Sequence, residues 1–407
     1  MEALLIIGII LLTGFILGEL LSIIKLPKVT GYILAGVILN PDLFHIIPSD
    51  FTSHTDTITN IALAFITFSV GGTLLVKKIR KLGKGILFIT FFEAELAFIF
   101  VFLGLLVLSP LLLTGLPASY LTIYIPISIL LASLASPTDP SATLAVSHEY
   151  NAKGDVSSTI MGVAAFDDAL GIINYSLAIT IAGLLILNQE FNIYSSIIQP
   201  IYVILGAIVL GIIFGFIFNS ISLLIKRETE GVLIVVIICF LLLCFGVANL
   251  IGVDELLSTM AMGAFVVNFN KMRKKIFRIL ERYTEELIFV LFFTISCMHL
   301  KFSVFTISFT VIIAFIILRA IGKIIGSQIG AHLASSSARV KKYVAGGLIP
   351  QGGIVIGLAL LIKQNNSFDQ IADIIISVII GATIIHEFIG PVVSKYVLKK
   401  AGEIKDY

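Results

Sequence analysis

Two neighbouring carboxylates, Asp167 and Asp168, stand in an apolar stretch from Ser157 to Leu185. They are the only charged residues between Val156 and Glu190. If the stretch is a helix, they lie about ten residues in, or about 15 Å deep. That is the middle of a hydrocarbon layer about 30 Å thick. An ionisable side chain at that depth must be paired, hydrated or neutralised, which marks it as functional. Neighbours on a helix are about 100° apart, so the two can face different partners. The chemistry open to such a pair is reversible binding of protons and of a small cation.

A second constellation interrupts another apolar span. Ala135-Ser136-Pro137-Thr138-Asp139-Pro140-Ser141 holds two prolines three apart, which remove two backbone donors and free nearby carbonyls. Such backbone is tolerated at membrane depth only where it is buried in protein or lines a wet cavity. Its freed carbonyls, the Asp139 carboxylate and the hydroxyls of Thr138 and Ser141 are hard oxygen ligands suited to an alkali cation such as Na⁺. The counterpart is Gly346-Gly347-Leu348-Ile349-Pro350-Gln351-Gly352-Gly353, again a breaker inside a span. The buried charges then tally as Glu93, Glu95, Asp139, Asp167 and Asp168 against Arg319 and Lys323. Arg319 matches the depth of Glu93 and Glu95, so a bridge between them is expected. Lys323, one turn further on, is the alternative base and the candidate partner of Asp167. The carboxylates left over must hold protons or a cation in alternation, because low dielectric disfavours unpaired charge. His148, at the inner mouth of the broken span, is a candidate pH sensor. His45 and His54 read as solvated loop residues. The pair His386-Glu387 reads either as a proton relay or as an interhelical hydrogen bond.

These residues need a membrane scaffold, and the composition supplies one. The chain has 407 residues, 58% of them hydrophobic and only 13% charged, with a mean hydropathy of +1.09. That is a polytopic membrane protein. Hydropathy divides it into thirteen spans near 3–24, 29–40, 57–76, 85–108, 120–147, 157–186, 197–225, 231–251, 255–269, 284–300, 303–333, 343–363 and 370–398. The second and ninth are short. Taking the loops alternately, all but four of the 27 Lys and Arg fall on one side; the exceptions are Lys301, Lys363, Arg319 and Lys323. By the positive-inside rule the N-terminus is outside and the C-terminus cytoplasmic, in a cell-membrane protein with a retained first helix. Adding or losing one span would destroy the asymmetry. The basic residues are dispersed in loops and give no nucleic-acid signal. Three cysteines in apolar spans give no disulfide framework, and no cofactor motif is present. The segment 271–283 is basic and amphipathic and is expected to lie on the inner surface of the bilayer.

Spans four to six and eleven to thirteen share a plan: an intact helix, a broken helix, an intact helix. They start on opposite sides of the membrane. The fold class is therefore an all-α polytopic membrane protein with inverted repeats and two crossed discontinuous helices, the site lying at the crossing.

Together these residues resemble the cation–proton antiporter superfamily, the sodium–proton exchangers. The resemblance rests on Leu26-Pro27-Lys28-Val29-Thr30-Gly31-Tyr32-Ile33-Leu34-Ala35-Gly36, on Pro137-Thr138-Asp139-Pro140, on the paired aspartates and on Arg319. The pair Asp167-Asp168 resembles the electrogenic branch; electroneutral exchangers carry Asn-Asp and potassium-efflux types often Gln-Asp. The resemblance implies an ion-translocating core (about 85–186 and 303–398) moving against a dimerisation scaffold (about 1–40 and 197–269), in a homodimer. It also implies that Asp168 is the cation and proton ligand, that Asp139 joins it at the Na⁺, and that Glu93 is the partner of Arg319. Arg319, Glu93, Lys323 and Gln351 would compensate charge around that site. Two positions depart from the family pattern: Thr73 stands where many relatives have Glu, and Ala164 where some have Ser.

The function this implies is electrogenic exchange of Na⁺ or Li⁺ for protons by alternating access, with no cofactor and no enzymatic activity. Potassium–proton exchange is the alternative within transport. A sodium symporter of organic anions has no need of adjacent aspartates with a buried Arg. An intramembrane aspartyl protease would place its two aspartates on separate helices, one in a Gly-x-Gly-Asp context that this chain lacks.

Overall fold

The computed structural model describes residues 3–24, 26–52, 54–113, 119–139, 143, 146, 152–187, 198–224 and 230–404, without the side chains of 49, 78–83, 199–200, 223–224 and 306–307. Ser141 and His148 lie outside the described residues. In chain order the helices are α1 (Ala3–Ile23), α2 (Lys28–Ile38), α3 (Asp56–Thr73), α4 (Val76–Leu112) and α5 (Ile125–Ser133, entered through a π turn at Tyr120–Tyr124). They continue with α6 (Asp155–Ile186), α7 (Gln199–Leu224), α8 (Glu230–Ile251), α9 (Glu255–Phe269), α10 (Arg273–Tyr283) and α11 (Glu285–Met298). The last are α12 (Phe302–Leu333), α13 (Ala338–Gly347), α14 (Ile354–Gln364) and α15 (Asp369–Lys400). Each of the thirteen apolar stretches contains a helix among the described residues; the twelfth is split as α13 and α14, and the fifth is interrupted after α5. Seven helices among the described residues are long and apolar enough to cross a membrane by length and composition. Among the described residues there is no strand, only one isolated bridge, Thr138 to Gln351.

Local chemistry sets the helix ends. Asp254 caps α9 by accepting from the Leu257 amide at 2.7 Å, and Ser337 caps α13 through Val340 N. Pro126 sits in the first turn of α5, where a missing donor costs nothing.

The chain forms two compact units: Met1–Thr55, Leu82–Gln189 and Phe293–Tyr407 make one, and Asp56–Lys81 with Glu190–Phe292 the other. The first unit holds every residue of the crossing. It also holds α1 and α2, tied in by Asn40, whose amide donates to the carbonyls of Cys297, Met298 and Leu300 at 3.2, 3.2 and 2.8 Å. The grouping of 1–40 with 197–269 expected from the sequence concerns which parts move together, and it stays a proposal. In the second unit, α7 packs closely on α9: a Cβ on Gly211 would lie 2.2 Å from the Ser258 carbonyl, so the small pair Gly211 and Gly215 marks a real helix contact.

One stripe of small residues matters most for the site. Gly322, Gly326 and Gly330 recur every fourth residue on α12, and a Cβ on any of them would fall 2.2–2.6 Å from the backbone of α4, at Ala97, Phe92 and Ile89. Glycine there lets the two backbones touch. The contact brings the α12 cations into the same layer as Glu93 of α4.

Candidate functional site

The site begins where two segments stop being helices. After α5 the backbone unwinds through Ser136–Asp139, and between α13 and α14 it unwinds through Leu348–Gly353. Pro137 and Pro350 cannot donate, so the segments cannot stay helical without loss. They instead satisfy each other. The Asp139 amide donates to the Pro350 carbonyl at 3.1 Å, and the Gly352 amide to the Pro137 carbonyl at 3.3 Å. The crossing is antiparallel at Thr138 and Gln351, as two inverted repeats require. Gly171 makes room for it: a Cβ there would stand 2.5 Å from Pro137 Cγ.

Arg319 is wholly buried and reaches into this crossing rather than to an acid. Its Nε donates to the Ala135 carbonyl at 2.8 Å, and its Nη2 to the carbonyls of Pro137 at 2.8 Å and Pro350 at 3.4 Å. Its Nη1 donates to the Ile349 carbonyl. One guanidinium thus satisfies four carbonyls freed by the two breaks, two on each segment. This corrects the expectation of an Arg319–Glu93 bridge. A planar fork of donors suits converging carbonyls better than one carboxylate.

Glu93 belongs to Lys323. The Lys323 ammonium lies 2.7 Å from Glu93 Oε2 and 2.7 Å from Thr138 Oγ1, and 3.5 Å from Asp167 Oδ2. The Thr138 hydroxyl donates in turn to Asp167 Oδ2. Glu93, Lys323, Thr138 and Asp167 therefore form one buried chain, all at 0% exposure. Asp167 thus shares one ammonium with Glu93.

Asp168 faces elsewhere. Its Oδ1 is buried without a hydrogen-bond partner. It looks toward the crossing, since a Cβ built on Gly352 would be 3.5 Å from it and 3.4 Å from the Thr138 carbonyl. An ionised oxygen with an open face beside a carbonyl can accept a proton or a hard cation. Asp139 is buried at the same crossing, and its charge is felt by the Glu387 carboxyl. Glu387 Oε2 accepts from Thr30 Oγ1 at 3.1 Å. Gln351 donates through Nε2 to the Leu134 carbonyl at 3.1 Å and meets His386 Nδ1 through Oε1 at 3.3 Å. His386, on α15, thus bonds to the unwound segment between α13 and α14. Among the described residues no three His, Cys, Asp or Glu side chains are arranged as a metal site.

The sequence reading missed three residues. Asn174 donates to Glu95 Oε1 at 3.3 Å and to Ser136 Oγ at 3.5 Å; its spacing of seven from Asp167, on the same helix face, was the available signal. Thr30 was read only as part of a motif. Glu403 accepts from the amides of Val156 at 2.7 Å and Ser157 at 2.9 Å, capping the helix that carries the aspartates. Nothing local in the sequence marks Glu403.

Comparison with known proteins fits this geometry. The sequence profile of the sodium/hydrogen exchanger family, transmembrane, matches residues 7–400. The chain is 25% identical over 218 residues to Na(+)/H(+) antiporter 1 of Methanocaldococcus jannaschii, covering 53% of this chain and 46% of that protein. The matched stretch thus spans about half the length of the relative. The structure of the sodium proton antiporter MjNhaP1 from Methanocaldococcus jannaschii, at pH 8, superposes with a TM-score of 0.75 at 20% identity, covering 98% of each chain.

Proposed function

We propose a function on one premise: the chain belongs to the sodium/hydrogen exchanger family of transmembrane proteins. That family consists of multi-pass membrane transporters, not enzymes. On this premise the protein exchanges Na⁺, or Li⁺, for protons across the cell membrane by alternating access. The observation that carries the reading is the contrast within the aspartate pair. Both keep a buried, unpartnered Oδ1, but Asp167 meets Lys323 and Thr138 through its Oδ2, whereas the Oδ1 of Asp168 faces the crossing, 3.5 Å from a Cβ built on Gly352. Asp168 is then the group that alternates between proton and cation, with the Thr138 carbonyl and Asp139 beside it. Arg319 holds the crossing in register, and Lys323 offsets carboxylate charge on Glu93 and Asp167 in a dry interior.

Two protons per cation, hence net charge movement, is the stoichiometry proposed from the adjacent carboxylates. A homodimer built on the scaffold part, an outer N-terminus and a cytoplasmic C-terminus complete the reading; the loop charges support the orientation. Potassium in place of sodium is the competing reading, since oxygen ligands alone do not select between alkali cations.

The test is fluorescence dequenching in proteoliposomes, with Na⁺, Li⁺ and K⁺ added in turn. Wild type is expected to respond to Na⁺ and Li⁺. Asp168→Asn is expected to be folded and silent, and sodium-driven proton flux through that variant would end the assignment.

A further inference from the structure

A cavity of about 530 Å³ lies where α9 gives way to α10. Asn268, Asn270, Lys271, Arg273, Lys274 and Lys275 contribute to its lining. The ion-exchange chemistry uses none of them. The segment from Lys271 to Arg282 carries six basic residues and one acidic residue, Glu281. Ile276, Ile279 and Leu280 are buried, so α10 presents one face to protein and leaves its charges outward. The helix starts at the cavity without a side-chain cap, so its positive end adds to the local field.

The shape of the cavity is held by protein contacts. The Asn270 amide donates to Asn219 Oδ1 at 2.7 Å and to Ser222 Oγ at 2.9 Å, and its Oδ1 accepts from the Met272 amide at 2.7 Å. Arg273 Nη1 donates to the Val267 carbonyl at 3.2 Å. Lys271 and Lys274 are exposed at the rim. Phe269, which also lines the cavity, is 69% exposed at the end of an apolar helix. A cationic hollow beside a bare aromatic ring suits a ligand that is anionic at one end and apolar at the other.

We propose that this cavity binds the headgroup of an anionic phospholipid, with the phosphate among Lys271, Arg273 and Lys274 and an acyl chain against Phe269. Clusters of Lys and Arg beside a membrane span attract anionic lipid by about fivefold per cation. A free phosphate would use the cations and leave the ring unused. The assignment is independent of which cation the protein carries.

Native mass spectrometry of the full-length protein, with phosphatidylglycerol or phosphatidylcholine added in detergent, tests it. Wild type is expected to retain phosphatidylglycerol and to release phosphatidylcholine. The double variant Lys271→Gln, Lys274→Gln should bind phosphatidylglycerol on the order of thirtyfold more weakly, the product of two such factors. Arg278→Gln with Arg282→Gln, away from the cavity lining, should weaken it less. Equal retention of the two lipids, or unchanged binding by the Lys271, Lys274 variant, would overturn the proposal. So would inorganic phosphate displacing the lipid at equal concentration, because it would show a site for a free anion. If the variant does not fold, salt decides on wild type: molar salt must release the lipid, and retention would overturn the proposal.

Discussion

Replacing Lys323 with Met tests the central network most directly. The ammonium is fully buried and holds Glu93 at 2.7 Å, Thr138 at 2.7 Å and Asp167 at 3.5 Å. Its removal strands two carboxylates with no other cation in contact among the described residues. Breaking a buried pair by deleting one partner costs about 3–5 kcal/mol. Uptake of a proton by Glu93 or Asp167 limits the loss toward the lower end. Glu93→Gln alone should cost a similar amount, since it leaves the ammonium with a weaker partner. The double variant should then be less unstable than the sum of the two by about 2 kcal/mol, because its second change removes a charge already stranded. Glu93 and Arg319 share no hydrogen bond, and Arg319 spends its donors on four carbonyls. Their coupling should be smaller than that of Glu93 with Lys323, being through-space attraction alone, although Arg319→Ala should itself cost at least about 4 kcal/mol, roughly 1 for each orphaned carbonyl. The chain has no tryptophan, so unfolding in detergent would be followed by far-ultraviolet circular dichroism. A larger coupling for Glu93 with Arg319 than with Lys323 would refute the pairing.

Three further outcomes follow from named contacts. Asp167→Asn should move the reversal potential toward one proton per cation if Asp167 carries the second proton; an unchanged potential with lower stability would make it a purely structural partner of Lys323 and Thr138. His299, between α11 and α12, is hydrogen-bonded to Thr55 at 3.0 Å, and burial, with Lys363 second, pulls its pKa from 6.5 down to about 4. The unfolded chain then binds the extra proton between those values, so stability is full above pH 6.5 and falls by up to about 3 kcal/mol as pH drops to 4; His299→Gln should flatten that slope in a melting series across the range. Glu403→Ala should cost about 1–2 kcal/mol by uncapping the Val156 and Ser157 amides, and Glu403→Gln less; equal stability of wild type and the Ala variant would mean water replaces the cap.

Much of this protein could be read along the chain because a bilayer constrains each segment separately. Hydropathy located thirteen apolar stretches, each of which holds a helix among the described residues, since a segment in lipid must satisfy its own backbone. Pro137, Pro140 and Pro350 announced broken helices because a proline cannot donate wherever it sits. Asp167 and Asp168 announced a site because charge at that depth is costly in any fold. The Glu403 cap and the Thr30 bond to Glu387 join residues hundreds of positions apart, and no local pattern encodes them.

Partner choice within the site was decided by tertiary structure alone. Arg319 and Lys323 are one turn apart on the same helix, and depth along the membrane resolves nothing finer than a turn. Their roles were settled by how closely α12 could approach α4. Gly322, Gly326 and Gly330 let the backbones meet, which set Lys323 against Glu93 and left Arg319 level with the carbonyls of the crossing. Those carbonyls exist as acceptors only because two segments, some two hundred residues apart in sequence, unwind at the same place. The sequence marked most of the buried charges, though Glu95 is only half-buried and Glu387 and Glu403 were not among them; a displacement of one helical turn between two helices specified which of them meet.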